Sequence, residues 1–113
     1  MRCIALFGPG PNWQHGKTVY EQGLPIEGHL AAMRRRFDQG SLLLGGPFEG
    51  GGGIAVLDVG DEDEARRLLD SDPAVCAGVL GYELHPLLAY FDAFSAVRTT
   101  RSVSELAQRR AEG

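Results

Sequence analysis

Hydrophobic positions along this chain recur in two rhythms, and the switches between them mark out the elements. Residues 1–7 (MRCIALF) alternate with period two, placing Ile4 and Leu6 on one face and Cys3, Ala5 and Phe7 on the other. Both faces are apolar, so this strand is expected to be covered on both sides. From Pro25 the period lengthens: Ile26, Leu30, Met33 and Phe37 fall at i, i+4, i+7 and i+11, and Gly40 follows the last turn. That spacing predicts a helix with one apolar stripe. Residues 41–45 (SLLLG) and 54–59 (IAVLDV) read as strands joined by the hairpin composition GGPFEGGGG. A second helix follows over 61–71, with Asp61 as N-cap, Glu64 as its capping-box partner and a stripe of Ala65, Leu68 and Leu69. Residues 79–85 (VLGYELH) give a fourth strand ended by Pro86, which cannot donate to a ladder. Residues 87–94 extend it with apolar side chains, and SVSELAQRR carries a weak final helix signal.

The order β-α-β-β-α-β predicts an α+β, ferredoxin-like fold: a four-stranded antiparallel sheet with two helices on one face. Residues 1–94 form the expected domain, and 95–113 a tail with a short helix. Helices can cover only one sheet face, while the first and third strands are apolar on both. The free face is therefore expected to meet the sheet of a second copy, giving a homodimer arranged as a dimeric α+β barrel.

Composition narrows the classes. The chain has 113 residues, enough for one core and too few for two. A net charge of -4, without a basic face interleaved with aromatics, argues against nucleic acid. No window approaches the ~18 apolar residues of a membrane span, and the first residues lack the form of a signal peptide. A cytoplasmic location is expected. Cys3 and Cys76 lack redox or zinc spacing and read as reduced structural thiols. Glycine is the outlier, with 16 in the chain and six of them between Gly45 and Gly53. These lead into a strand and do not open a helix, so they read as a flexible hairpin and not as a phosphate cradle. The connection 8–24 (containing PGPNW, Gly16 and Gly23) is longer than ordinary loops and is either functional or disordered.

Two residues stand out chemically. Asp72 falls at i+3 from Leu69, i+4 from Leu68 and i+7 from Ala65, which puts a carboxylate on a core-facing stripe. The competing reading is a plain N-cap, since Asp followed by Pro would cap a turn through Pro73, Ala74 and Val75. His29 lies about 70° from the centre of the first helix's apolar stripe, at the border of core and solvent. The topology puts both helices on one sheet face, so His29 and Asp72 can approach across 43 residues of sequence. Glu83 and His85 share a face of the fourth strand, and His15 sits beside Trp13 in the long loop. The three histidines are scattered without ligand spacing, so no metal site is expected. Arg34, Arg35 and Arg36 span too wide an arc of helix to grip one ligand. A nucleophile elbow is absent.

The segments GPGPNW, GHLAAMRRRFDQGSLLLGGPF, GGGGIAVLDV, DEDEARRLLDSDPAVCAGV and YELHP, in this order, resemble the YciI-like (YCII-related) family of small dimeric α+β barrel proteins. The resemblance covers roughly residues 1–91. It departs from the family where the hairpin reads GGPF without the Asp that many relatives carry before GPF, and where Ala74 replaces a frequent Phe. It implies a His-Asp dyad at His29 and Asp72, and general acid/base chemistry such as elimination, isomerisation or the dehydrochlorination of a chlorinated hydroxyquinol implied by one branch. The expected protein is thus a cofactor-independent lyase or isomerase acting on a small organic molecule, with Trp13, Phe48, Tyr82 and His85 as pocket residues. The alternative is a non-catalytic ligand-binding or regulatory module linked to an extracytoplasmic-function sigma factor. A third reading, a related barrel monooxygenase or lactone isomerase, would shift the weight from His29 to His85.

Overall fold

The central strand, β1 (Arg2–Pro9), pairs antiparallel on both sides, with β3 (Gly53–Asp58) and with β4 (Leu80–Leu87). β2 (Leu42–Pro47) pairs with β3, so the sheet order is β2-β3-β1-β4. The computed structural model describes residues 1–94; the expected tail and its helix lie outside them. Register places Cys3 opposite Leu57 and Ala5 opposite Ala55, and all four are fully buried beneath Ala65 and Leu69 of α2 (Glu62–Asp70). Small side chains at the sheet centre let the helices approach closely while larger ones fill the margins. The fold is ferredoxin-like, as the order of elements predicts.

α1 (Leu24–Asp38) departs from its expected stripe. Ile26 and Ala32 are buried, but Leu30 and Phe37 are each 55% exposed. The packed face runs through Ile26, His29, Ala32, Met33 and Arg36, so the helix is rolled by about 70° from its hydrophobic centre. Tertiary contacts override the periodicity, and the roll carries His29 from the border to the middle of the packed face.

Three boundaries also differ from expectation. β4 continues through Pro86, which faces Cys3 in the ladder, because β4 is an edge strand whose outer side needs no N–H donor. The β2 register shifts between Leu42 and Leu44, a bulge that keeps Leu42 under the helices and turns Leu44 to the other face. The α2 cap is split: Asp61 accepts from the Glu64 N–H at 2.8 Å, while the Glu64 carboxylate reaches the Gly60 N–H at 2.6 Å. On the sheet face away from the helices, Ile4, Leu6, Ile54 and Val56 are half-buried. No helix among the described residues is long and apolar enough to cross a membrane.

Tyr82 ties β4 to the end of α2, donating to Asp70 Oδ1 at 2.6 Å. Burial pushes its phenol up, and the bond to Asp70 pushes in the same direction. A raised folded value means that the contribution is whole below the ordinary tyrosine value of about 10 and is lost as pH climbs through the folded one. Denaturant titrations of wild type and Tyr82→Phe should therefore differ by about 1 kcal/mol at neutral pH and converge in the alkaline range. A constant difference across that range would show that the hydroxyl does not couple to folding.

Candidate active site

The chain leaves α2 at Asp70 and enters the short helix α3 (Pro73–Cys76) after only two residues. Asp72 is the N-cap of α3, and Pro73 takes the first helical position, where no N–H is needed. Asp72 Oδ1 accepts from the Ala74 N–H at 2.9 Å and from the Val75 N–H at 3.4 Å. Asp72 Oδ2 lies 2.8 Å from His29 Nδ1. The capping and dyad readings of Asp72 therefore hold together, one on each oxygen. At 1% exposure the carboxylate is almost completely out of water. Isolated, it would cost several kcal/mol; hydrogen bonds to a charged group return about 1.5–3 kcal/mol each, so capping and pairing are both needed.

Two further contacts fix the ring. A β-carbon on Gly28 would lie 2.9 Å from Pro73 Cβ, so only glycine lets α1 seat this closely against α3. Phe7 meets the imidazole edge to face, with centroids 5.3 Å apart and an interplanar angle of 79°. An ionised carboxylate only accepts, so Nδ1 carries the hydrogen toward Asp72. Nε2 is left for the cleft, and among the described residues nothing bonds it.

That cleft has a volume of about 810 Å³ and is mostly apolar. Phe7, Ile26, Leu30 and Met33 form its floor around His29, and Leu30 is exposed because it borders this space. Trp13 contributes from the long loop and Phe48 from the glycine hairpin; Lys17 and Glu49 supply charge at the rim. Tyr82 shares the sheet face of Phe7 but does not line the cleft, because its hydroxyl is held by Asp70 at the end of α2. His85 is on the opposite sheet face, opposite Ile4, with its side chain 59% exposed and Nε2 3.3 Å from Glu83. His15 is exposed and also outside the cleft. No group of three metal-ligating side chains occurs among the described residues.

Some contributors escaped the sequence reading. Gly28 carries a local signal, because glycine inside a helix costs about 1 kcal/mol relative to alanine and so implies a close approach. Gly10 has the same role in the long loop: a β-carbon there would collide with the Gly78 carbonyl, and its N–H donates to Val79 O at 2.9 Å. Gln22, 2% exposed, gave no periodic or motif signal at all.

Fold and site together define a ferredoxin-like domain that buries a His-Asp pair beside an apolar cleft. The chain matches the YCII-related domain over residues 14–87, a span that contains both His29 and Asp72, and it belongs to that family. No curated protein matches it. Among solved structures it is similar to 5-chloro-2-hydroxyhydroquinone dehydrochlorinase (TftG) from Burkholderia phenoliruptrix AC1100 in complex with 2,5-dihydroxybenzoquinone. The two are 16% identical with a TM-score of 0.58, over 75% of this chain and 92% of that one, a likeness of fold.

Asp72→Asn offers a sharp test of the pair. Two backbone N–H groups face Oδ1, so the amide oxygen must stay there and its NH2 must turn to His29 Nδ1. Asn and Asp cap equally well, so the fold should survive, whereas Asp72→Ala should lose about 1 kcal/mol or more with the cap. Long-range 1H–15N spectra of the neutral ring should show hydrogen on Nδ1 in wild type and on Nε2 in Asp72→Asn. The same tautomer in both proteins would mean that Asp72 does not orient the imidazole.

Proposed function

We propose that this protein is a small cofactor-independent enzyme, a lyase or isomerase, in which His29 moves a proton and Asp72 orients and charge-balances the ring. The observation that carries the reading is one geometry: a carboxylate at 1% exposure, 2.8 Å from His29 Nδ1, with the opposite ring nitrogen left for an apolar cleft of about 810 Å³. A cleft of this size and lining suits a small organic, flat or aromatic substrate. His29 Nε2 moves a proton from a substrate O–H to the ring carbon that bears the halide, giving the non-aromatic keto form. It then takes the proton of a second O–H, that bond's electron pair forms a new C=O, the neighbouring double bond shifts, and halide departs with its bonding pair. The proton passes from His29 to water, and the ring is ready again. Such chemistry runs on proton transfer alone, a step typically worth about 10²–10⁴ in rate. The shared fold with a dehydrochlorinase supports this class of reaction.

The first substrate to try is 5-chloro-2-hydroxyhydroquinone, followed by other small haloaromatics. His29→Asn should lower chloride release by about 10²–10⁴ with circular dichroism unchanged. Turnover by His29→Asn at the wild-type rate would overturn the reading. If 2,5-dihydroxybenzoquinone shifts the His29 ring signals while no candidate is turned over, the protein is the ligand-binding module instead. His85, exposed on the far sheet face, is the control: His85→Ala should leave turnover intact, and its loss would favour the third reading.

The same reading includes a homodimer in a reducing cytoplasm, where Cys3 and Cys76 stay free thiols. Ile4, Leu6, Ile54 and Val56, with the exposed Leu44 and Leu87, give the free sheet face an apolar surface that a second copy would cover. Sedimentation equilibrium at micromolar concentration should give twice the 12.2 kDa chain mass, and Val56→Lys should halve it. A wild-type monomer would refute the pairing.

A further inference from the structure

Two polar side chains are buried among the described residues, Asp72 and Gln22, and proton transfer uses only the first. Gln22 follows the 3-10 turn Val19–Glu21, just before α1. Its amide is fully spent on the backbone of the preceding loop. Oε1 accepts from the Gln14 N–H at 2.8 Å; Nε2 donates to the carbonyls of Gln14 at 3.0 Å, Thr18 at 3.2 Å and Lys17 at 3.4 Å. The pair of bonds with Gln14 copies what a neighbouring β-strand would make, in a segment that has no strand beside it.

The other end of the loop is pinned independently. Gly10 N–H donates to Val79 O, Asn12 N–H to Gly78 O, and Asn12 Nδ2 to Ala77 O, all within 2.8–2.9 Å. Between the two anchors lies Trp13, packed against the cluster of Ile26, Ala74, Val79 and Leu80; beyond it Lys17, Thr18, Val19 and Tyr20 form one wall of the His29 cleft. Ordering such a loop costs about 1–2 kcal/mol per residue, and it has no ladder of its own to offset that. We propose that Gln22 is a positioning residue that holds the 13–20 wall closed over the His29 cleft and so sets how tightly the cleft encloses its substrate. The substrate role rests on the function proposed above; the position of the wall does not.

Gln22→Glu keeps the shape and exchanges the donor for a charge facing three carbonyl oxygens. At neutral pH the wall should open, raising the open population about tenfold, the factor that losing one buried hydrogen bond allows. Trp13 is the only tryptophan, so its emission should move to the red and its acrylamide quenching should rise while circular dichroism stays native. Acidification protonates the introduced carboxylate, returns a donor, and should restore the wild-type spectrum. His15, Lys17 and Glu21 also titrate near this loop, and wild type at each pH controls for them. Diethylpyrocarbonate should acylate His29 faster in Gln22→Glu at neutral pH relative to His85, a readout that needs no substrate. Gln22→Met removes the same bonds without a buried charge and should open the wall at every pH, which covers a Gln22→Glu chain that does not fold. Unchanged Trp13 quenching and unchanged His29 acylation in the variants would overturn the proposal, whether or not any substrate is turned over.

Discussion

A carboxylate at 1% exposure is the constraint around which this molecule is arranged. Water is gone from Asp72, so each of its oxygens must be met by protein, and the two demands come from different places. One oxygen is met by backbone N–H groups two and three residues ahead, which requires a helix to start immediately. The other is met by a side chain 43 residues earlier, which requires α1 to cross close to that start. Local and long-range structure are therefore tied through a single side chain. A shift of either helix would strip one oxygen of its partner, and the cost of a half-satisfied buried charge exceeds what ordinary apolar packing would recover.

That constraint accounts for features that otherwise look like poor design. Gly28 interrupts a helix where alanine would be favoured, because any β-carbon would strike Pro73. Leu30 and Phe37 are left exposed although a slightly different roll would bury them. The roll is set by His29 instead, whose ring must reach Asp72 with one nitrogen and leave the other toward the cleft. Apolar burial lost at Leu30 is partly regained as a cleft wall. The price of the arrangement is thus paid where a ligand would sit.

Much of this was legible in the chain. Period-two and period-3.6 patterns placed all four strands and both long helices, and the spacing of Asp72 from Leu68 and Leu69 marked a carboxylate on a buried stripe. What periodicity missed was the orientation of α1, because it assumes that the most apolar arc faces inward, and here a polar contact outweighs two large side chains. The hairpin glycines were readable as flexible, but not as a border of the cleft, since that depends on which end of the sheet the α1 start overhangs. Tyr82 and His85 sit on the right strand, yet register sends one to the α2 end and the other to the far face. Alternation separates their faces without saying which one holds a cavity. Gln22 was invisible because its partners are main-chain atoms, which no side-chain pattern encodes.

The two buried polar side chains thus divide the site between them by the same physical means. Each binds backbone groups outside any sheet ladder: Asp72 the first N–H groups of α3, Gln22 the Gln14 N–H and the carbonyls of an irregular loop. Backbone positions are fixed by the fold more firmly than side-chain rotamers, so groups anchored to them inherit that precision. His29 is held in this way at one remove, through Asp72, and Trp13 is held between Gln22 and the Gly10 to Asn12 clamp. In the proposed function these become a proton-transferring ring with a fixed tautomer and a wall with a fixed position. Here both come from a single amide and a single carboxylate, each set behind the residues that line the cleft.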